Sequence, residues 1–284
     1  MDSAVILHAD PARLAVLDRP VLVVMLTGWI DASGAAAAAM AALEQAVQPT
    51  PVATFDGDVF VDYRARRPTM ELREGVNTRL DWTEIELVMG TTDEGHAVYL
   101  LRGPEPDMQW RRFARAVADL AQLLGVYQMI GFGAYPFASP HTRPCRLSVT
   151  SPSADVVASV PYLKSTLDAP AGATALLEHA LTERGIPCLG LWVQVPHYVS
   201  AMPYPAASQA LLEGLAENTG VRVVSSSLAT EASAQHDRIE RLVGGNPEHE
   251  AMVAKLEEAH DLLTQTGDDI AAELERFLRE QGGS

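Results

Sequence analysis

The stretch Val21-Leu-Val-Val-Met-Leu26, with Thr27-Gly-Trp-Ile-Asp-Ala-Ser-Gly34 directly after it, decides the fold class. Its first six residues are continuously apolar and partly β-branched, which is typical of a strand covered on both faces. The alanine-rich segment 35–47 then predicts a helix that lies close to the sheet and begins at a side-chain cap from Asp31 or Ser33. A strand, a tight loop and a helix form the first half of a βαβ unit.

The same alternation of strand and helix patterns continues along the chain. Helical periodicity or composition indicates helices that end near residues 124, 184 and 218, each close to a glycine. Short apolar runs indicate the remaining strands, at residues 52–55, 84–89, 97–101, 126–132, 145–149, 189–195 and 221–224. We therefore expect an α/β fold with a mostly parallel sheet flanked by helices.

Composition excludes several classes of function. The chain has 284 residues, of which 48% are hydrophobic and 20% charged, as in ordinary globular proteins. Its formal net charge of −16 repels polyanions, so we expect neither a nucleic-acid partner nor an acidic membrane surface. No apolar stretch approaches the roughly 20 residues that a membrane-spanning helix needs. The two cysteines, Cys145 and Cys188, lack metal-type spacing and suit free thiols in a reducing cytoplasm.

Charge is unevenly distributed along the sequence, which predicts two structural regions. From residue 229 to the end the sequence holds 13 acidic and five basic residues, so half of the net charge lies in the last fifth of the chain. We expect an α/β domain over residues 1–228 and an acidic helical segment over residues 229–284. Apolar residues seven apart in this segment predict helix packing, either within the chain or against another subunit. They are Leu256, Leu263, Ile270 and Phe277.

The most distinctive loop follows the predicted strand that ends at Phe132. It runs from Gly133 to Pro144 and contains three prolines, one histidine and one arginine, so it is stiff and polar. Two further loops that follow predicted strands, at residues 28–31 and 197–198, also carry polar side chains. Ligands of parallel sheets bind outside the carboxyl ends of the strands. We expect these loops to form a shared rim that could bind a ligand. Its candidate residues are Asp31, His141, Arg143 and His197.

Each candidate in this rim also has a structural explanation. Asp31 could only cap the following helix, and Arg143 could pair with an acid such as Asp31. His141 and His197 each follow a proline and could stiffen a turn by bonding a backbone carbonyl.

The segment Asp62-Tyr-Arg-Ala-Arg-Arg-Pro68 is the only dense cationic cluster in this acidic protein. Guanidinium groups suit bidentate acceptors, so Arg64 and Arg66 are candidates for binding a phosphate or carboxylate. A solvated loop, or internal pairing with Asp62, explains the cluster equally well.

Standard catalytic and cofactor motifs are missing. The sequence contains no G-x-S-x-G elbow, no P-loop and no H-E-x-x-H. Gly131-Phe-Gly133 is a G-x-G without a third glycine, so we expect no dinucleotide and no other cofactor. Three histidines near the C-terminus lack regular ligand spacing, so we expect no metal site; they are His236, His249 and His260.

Several motifs together resemble the proteasome assembly chaperone 2 family in its prokaryotic, actinobacterial-type form. They are Gly28-Trp-Ile-Asp31, Asp62-Tyr63 with Arg67-Pro68, Gly103-Pro-Glu-Pro106 followed by Trp110 and Phe113, and above all Pro140-His-Thr-Arg-Pro144. The resemblance implies a fold similar to purine nucleoside phosphorylases and related hydrolases, self-association, and a link to proteasome assembly or activation. By analogy with phosphorylases, a homotrimer is expected.

The resemblance favours a non-enzymatic, chaperone-like protein that binds protein partners, including proteasome subunits. Relatives that dock on the proteasome through their C-terminus end in a hydrophobic residue, a tyrosine and one more residue, whereas this sequence ends in Gln281-Gly-Gly-Ser284. We therefore do not expect that docking mode. The alternative is a small-ligand binder or enzyme of nucleoside phosphorylase type. It would hold an anion with Arg143, helped by Arg64 or Arg66, and move protons through His141 or Asp31.

Overall fold

An eight-stranded mixed sheet forms the centre of the protein in its computed structural model, which describes residues 2–14 and 16–262. Four parallel strands make its middle, in the order β7 (Ala97–Pro104), β2 (Val21–Thr27), β8 (Gln128–Phe137) and β10 (Cys188–Pro196). Antiparallel strands extend both sides. They are β6 (Ile85–Thr91), β3 (Thr50–Phe55) and β1 (Val5–Leu7) beyond β7, and β9 (Leu147–Thr150) beyond β10.

Strand β2 shows why the sheet is covered on both faces. Val23 packs into one hydrophobic core and Val24 into the other, as the alternation of side chains along a strand requires. Both side chains are fully buried. The continuous apolar run predicted this position at the centre of the sheet, and the predicted α/β fold is confirmed.

Helices form a layer on each face of the sheet. Helices α2 (Ala35–Val47) and α7 (Pro205–Thr219) pack together on one face, and α4 (Trp110–Leu123) and α6 (Ala173–Thr182) on the other. Three short helices lie in connections: α1 (Pro11–Leu14), α3 (Gly57–Phe60) and α5 (Ala154–Ala158). Within the described residues, no helix combines the length and apolar composition that a membrane span requires.

The described part of the acidic region contains two further helices. Helix α8 (Ser226–Val243) begins at the side-chain cap of Ser225 and packs on α7. Residues 247–262 form α9. Of the predicted heptad positions only Leu256 belongs to the described residues, so the other three lie outside them. The division of the chain at residue 228 stays a prediction.

The structure corrects three local predictions. Residues 221–224 are not a strand but part of the connection between α7 and α8, and the edge of the sheet beside β10 is formed by β9. Strand β8 continues to Phe137 in parallel register with β10, so the loop after it begins five residues later than predicted. The sequence analysis also missed an antiparallel hairpin of β4 (Thr69–Arg73) and β5 (Val76–Asp81), which forms a separate two-stranded sheet.

Candidate functional site

The Pro140–Pro144 loop lies beyond the carboxyl end of β8, where the neighbouring strand β10 also ends. Parallel pairing of Pro196 with Phe137 brings the exits of both strands to one edge. Helices α8 and α9 lie against the loop from the C-terminal end of the chain, through contacts described below. We call His141, Thr142, Arg143 and their partners the loop-helix contact.

His141 is the buried centre of this contact, with a side chain that is 1% exposed. Its Nδ1 lies 2.7 Å from the Tyr198 hydroxyl, which also accepts a 2.8 Å hydrogen bond from the His141 backbone N–H. Its Nε2 lies 2.8 Å from Oε1 of Glu240 on α8. These partners suit a neutral imidazole. Its Nδ1 accepts a hydrogen bond from the Tyr198 hydroxyl, and its Nε2–H donates one to the Glu240 carboxylate.

Burial lowers the pKa of His141, and the hydrogen bond to Glu240 only partly opposes this effect. Burial also raises the pKa of Tyr198 to about 12, so its hydroxyl keeps its proton near neutral pH. Both ring nitrogens of His141 are thus engaged by the chain itself. Proton transfer to a bound substrate would require one of these hydrogen bonds to break first.

Arg143 is held by two carboxylates of α9. Its Nε and Nη2 donate to Asp261 at 2.9 and 2.7 Å, and its Nη1 donates to Glu257 at 3.1 Å. The Thr142 hydroxyl also donates to Glu257. Hydrogen bonds from Arg143 lower the pKa of Asp261 to about 2. With two carboxylates beside it, Arg143 has no net positive field with which to attract an anion.

Asp31 is separate from this contact. Its two carboxylate oxygens accept hydrogen bonds from the backbone N–H groups of Ala36 and Ala37, at 2.8 and 3.1 Å. These bonds satisfy two of the free donors at the start of α2, so Asp31 acts as a helix cap. Burial nevertheless raises its pKa. The hydroxyl of Ser33, the other predicted cap, has no hydrogen-bond partner among the described residues.

Arg66 lies elsewhere, close to Gly28 just after β2 and to Glu105 just after β7. Arg66 Nε donates to both oxygens of Asp107 at 3.1 Å, and Arg66 also lowers the pKa of Glu105, which burial raises more strongly. Arg64 is exposed, and its backbone N–H bonds Asp62. Of the alternatives left open for this cluster, Arg66 forms an internal pair, but with Asp107 and not with Asp62.

His197 is exposed at the exit of β10 and packs edge-on against the Tyr198 ring, with 5.4 Å between ring centroids. It begins a short 3-10 turn whose end is fixed by the Ser200 hydroxyl bonding the His197 carbonyl at 2.8 Å. The structure thus brings His141 and Arg143 together. His197 packs against Tyr198, which in turn is hydrogen-bonded to His141.

A cavity of about 230 Å³ lies beside the loop, between the N-terminus of α7 and helix α8. Its lining includes His141, Arg143, Cys145, Gln235 and His236. Burial raises the pKa of Cys145 to about 11, so its thiol is protonated and unreactive near neutral pH. The Gln235 Nε2 atom is buried and has no hydrogen-bond partner among the residues that the structure describes. In those residues no group of three or more potential ligands could hold a metal ion.

The glycines of the G-x-G motif have a packing role instead. Both lie within β8, and a Cβ atom on Gly131 would come within 2.7 Å of the Thr174 methyl group of α6. A Cβ atom on Gly133 would collide with the indole ring of Trp192 on β10. The two glycines allow a close approach of neighbouring side chains and do not form a phosphate-binding turn.

A second buried acid, Glu178 on α6, lies away from the loop. Its Oε1 accepts a 2.9 Å hydrogen bond from Thr150, whose hydroxyl in turn accepts one from Trp192 Nε1 at 3.1 Å. Burial raises the pKa of Glu178 to about 7, and Gly190 leaves the space that its carboxyl occupies.

Sequence reasoning missed the residues that bind the loop. Tyr198 directly follows the predicted His197, and its amphipathic side chain suited a buried hydrogen bond. The other three belong to the acidic region, where neither charge nor spacing identifies which acid would bind the loop. They are Glu240, Glu257 and Asp261.

Comparison with known proteins places the chain in a family. The PAC2 family model matches residues 25–243, which is more than half of the chain. No curated protein matches the sequence.

Solved structures agree with this assignment. A Mycobacterium tuberculosis protein of unknown function is 34% identical, with a TM-score of 0.83 over 95% of this chain and 93% of its own. The M. tuberculosis proteasome-assembly chaperone homologue is 30% identical, with a TM-score of 0.75 over 83% of this chain and 99% of its own. The Pyrococcus furiosus archaeal proteasome activator shares the fold at 15% identity, with a TM-score of 0.63 over 84% and 97% of the two chains. The chain belongs to the PAC2 family.

Proposed function

We propose that this protein is a non-enzymatic, chaperone-like member of the PAC2 family that self-associates and binds proteasome subunits. Membership of the family supports the chaperone-like role, and a relative that is 30% identical is a proteasome-assembly chaperone homologue. We further propose that it acts in the cytoplasm as a homotrimer. Two free cysteines and the analogy with phosphorylases support these two points.

One structural observation supports the proposal independently of family membership. The polar groups of the strongest family motif are used to bind helices α8 and α9 of the same chain. Both ring nitrogens of His141 and the guanidinium group of Arg143 bind side chains of this chain, which favours a role of the loop in shaping a surface.

The phosphorylase-type alternative loses support from the same geometry. Arg143 is neutralised by two carboxylates, and Arg66 is paired with Asp107 at a different place. A thermal-shift measurement with nucleosides and inorganic phosphate tests this alternative, because a ligand that binds only the folded protein raises its Tm. We expect no shift. A concentration-dependent rise would restore the ligand-binding hypothesis.

Purified proteasome α and β subunits provide the direct test of the proposal. The full chain, tagged at its N-terminus, is mixed with each subunit and with both, and complexes are separated by size. We expect co-elution with at least one subunit and faster formation of assembled particles. The same subunit mixture without the protein is the control for spontaneous assembly. Absence of co-elution together with an unchanged assembly rate would contradict the proposal.

A further inference from the structure

The cavity beside the loop-helix contact is lined by polar side chains that the chain itself does not use. It has a volume of about 230 Å³ and lies between α7 and α8. Gln209 and Glu213 line it from α7, and their side chains form no hydrogen bond or ion pair with the described residues. They are four positions apart, so they lie on the same side of the helix. Across the cavity, the Nε2 atom of Gln235 on α8 also lacks a partner among those residues.

Much of the remaining lining is apolar or already engaged. His141 and Arg143 bind their partners in the loop-helix contact. Small apolar residues form a large part of the wall, and they are Pro144, Pro205, Ala206, Ala210 and Ala232. Pockets for drug-sized ligands have volumes of roughly 300 to 1,000 Å³. This cavity therefore suits a smaller molecule that has a short apolar part and one polar group.

The charges around the cavity favour a cation as its ligand. Glu213 lines the cavity directly, and its charge adds to the effect of burial in raising the pKa of Cys145 on the opposite wall. Three further acids bind the lining residues His141 and Arg143, and they are Glu240, Glu257 and Asp261. Against these four acids stands one arginine, so this set of side chains has a formal charge of −3. A cleft lined by one sign of charge concentrates ligands of the opposite sign.

We propose that this cavity binds a small aliphatic amine in its ammonium form. An ammonium group donates three hydrogen bonds, and its acceptors here are the Glu213 carboxylate and the amide oxygens of Gln209 and Gln235. The bond to the carboxylate is charge-assisted and therefore the strongest of the three. The alkyl part of the amine lies against the prolines and alanines of the wall. This binding site goes beyond the proposed function, because it takes a small molecule and requires no protein partner.

Three probes with the same carbon chain and different charge test the proposal: n-butylamine, 1-butanol and butyrate. Titration calorimetry of the full chain at about pH 8, where a primary amine keeps its proton, gives the Kd and should show one butylamine per chain. At ten times this Kd, butylamine should raise the Tm by roughly 2 to 4 °C, because it binds the folded chain. At the same concentration and ionic strength, neither 1-butanol nor butyrate should raise the Tm.

Two variants, each with a matched control, locate the binding. Glu213→Gln removes the carboxylate and should raise the Kd for butylamine by about tenfold, whereas Glu183→Gln, at an exposed position outside the cavity, should leave it unchanged. Ala210→Leu fills the cavity without changing any charge and should abolish binding. Ala41→Leu makes the same change at an exposed position of α2 and should have no effect on binding. Circular dichroism checks that every variant is folded.

Four outcomes would overturn the inference. The first is the absence of any Tm shift with butylamine. The second is an equal shift with 1-butanol, which would show that the cavity selects the alkyl chain and not the charge. The third is butylamine binding that persists in folded Ala210→Leu, which would place the amine on the acidic surface. The fourth is an unchanged Kd in Glu213→Gln. Binding of proteasome subunits is measured separately by co-elution, so none of these outcomes would alter the proposed function.

Discussion

Asp261 accepts two hydrogen bonds from the guanidinium group of Arg143, one from Nε at 2.9 Å and one from Nη2 at 2.7 Å. The two residues are 118 positions apart in the sequence. Bidentate pairing fixes both the distance and the orientation of the two groups, so α9 has a defined position against the loop.

Arg143→Met should loosen α9 without unfolding the sheet. The pairs are about one third exposed and solvent screens them, so we expect a modest effect, roughly fivefold faster amide hydrogen exchange over residues 247–262. Raising the salt concentration should change the wild type in the same direction. Arg102→Met is the control, because Arg102 is similarly exposed and also pairs with two acids, Glu44 and Glu86. Unchanged exchange in the Arg143→Met variant would mean that these ion pairs do not hold the helix.

Tyr198→Phe should destabilise the protein by about 1 to 3 kcal/mol, because the buried His141 would lose its partners at Nδ1 and at the backbone N–H. Urea unfolding measures the change. Tyr127→Phe removes a hydroxyl from a half-exposed ring and should alter the free energy of unfolding by less than about 0.5 kcal/mol. Equal effects of the two substitutions would contradict the role assigned to Tyr198.

Glu178 should make stability depend on pH near neutrality. Its folded-state pKa of about 7 lies above its ordinary value of 4.5, so the folded state binds the proton more tightly than the unfolded state. The tighter proton binding stabilises the folded state. This stabilisation is fully present below pH 4.5 and is lost as the pH rises through 7. The full loss is on the order of 3 kcal/mol.

Glu178→Gln should therefore reduce the fall in stability between about pH 5 and about pH 8.5, as measured by urea unfolding at each pH. Glu183→Gln, at an exposed position just after the same helix, should leave the pH dependence as in the wild type. If the Glu178→Gln variant and the wild type had parallel pH profiles, the carboxyl would not be the group that titrates.

Asp31→Ala should cost about 1 kcal/mol, since two backbone N–H groups at the start of α2 lose their acceptor. Ser33→Ala is the matched control within the same turn. Its hydroxyl has no partner among the described residues, so its removal should leave stability unchanged or slightly higher. A larger loss from Ser33→Ala than from Asp31→Ala would reverse the assignment of the cap.

The central layer of the fold could be predicted because its signals are local. The apolar run of β2 and the alanine-rich α2 identify their elements without knowledge of the rest of the chain. The predicted strand over residues 221–224 was wrong for a different reason. Val221 is buried but Val224 is 95% exposed, so these β-branched residues line a connection on the surface.

The hairpin had a readable pattern that was missed. Apolar residues alternate with polar ones on both sides of Glu74-Gly75, where both residues adopt positive φ angles. Glycine favours such a turn, and alternation predicts strands. The arginines before the hairpin indicate a charged loop, but the alternation of apolar and polar residues is the stronger signal for strands.

The partners of the loop could not be predicted from sequence alone. Glu240 and Asp261 are about a hundred residues from the loop, and neither periodicity nor composition determines which of many acids meets a given arginine. The sequence identified His141 and Arg143 as special. Only the three-dimensional arrangement shows that they bind this chain's own helices.

The loop-helix contact also sets an order of events during synthesis. At about 5 to 20 residues per second, a ribosome needs roughly 6 to 24 s to add the 118 residues that separate Arg143 from Asp261. Every strand of the central sheet has left the peptidyl-transfer centre before the acids of α9 are made. A nascent sheet that folds before α9 is made does so with His141 and Arg143 still hydrated, and α8 and α9 then supply their partners to a core that already exists.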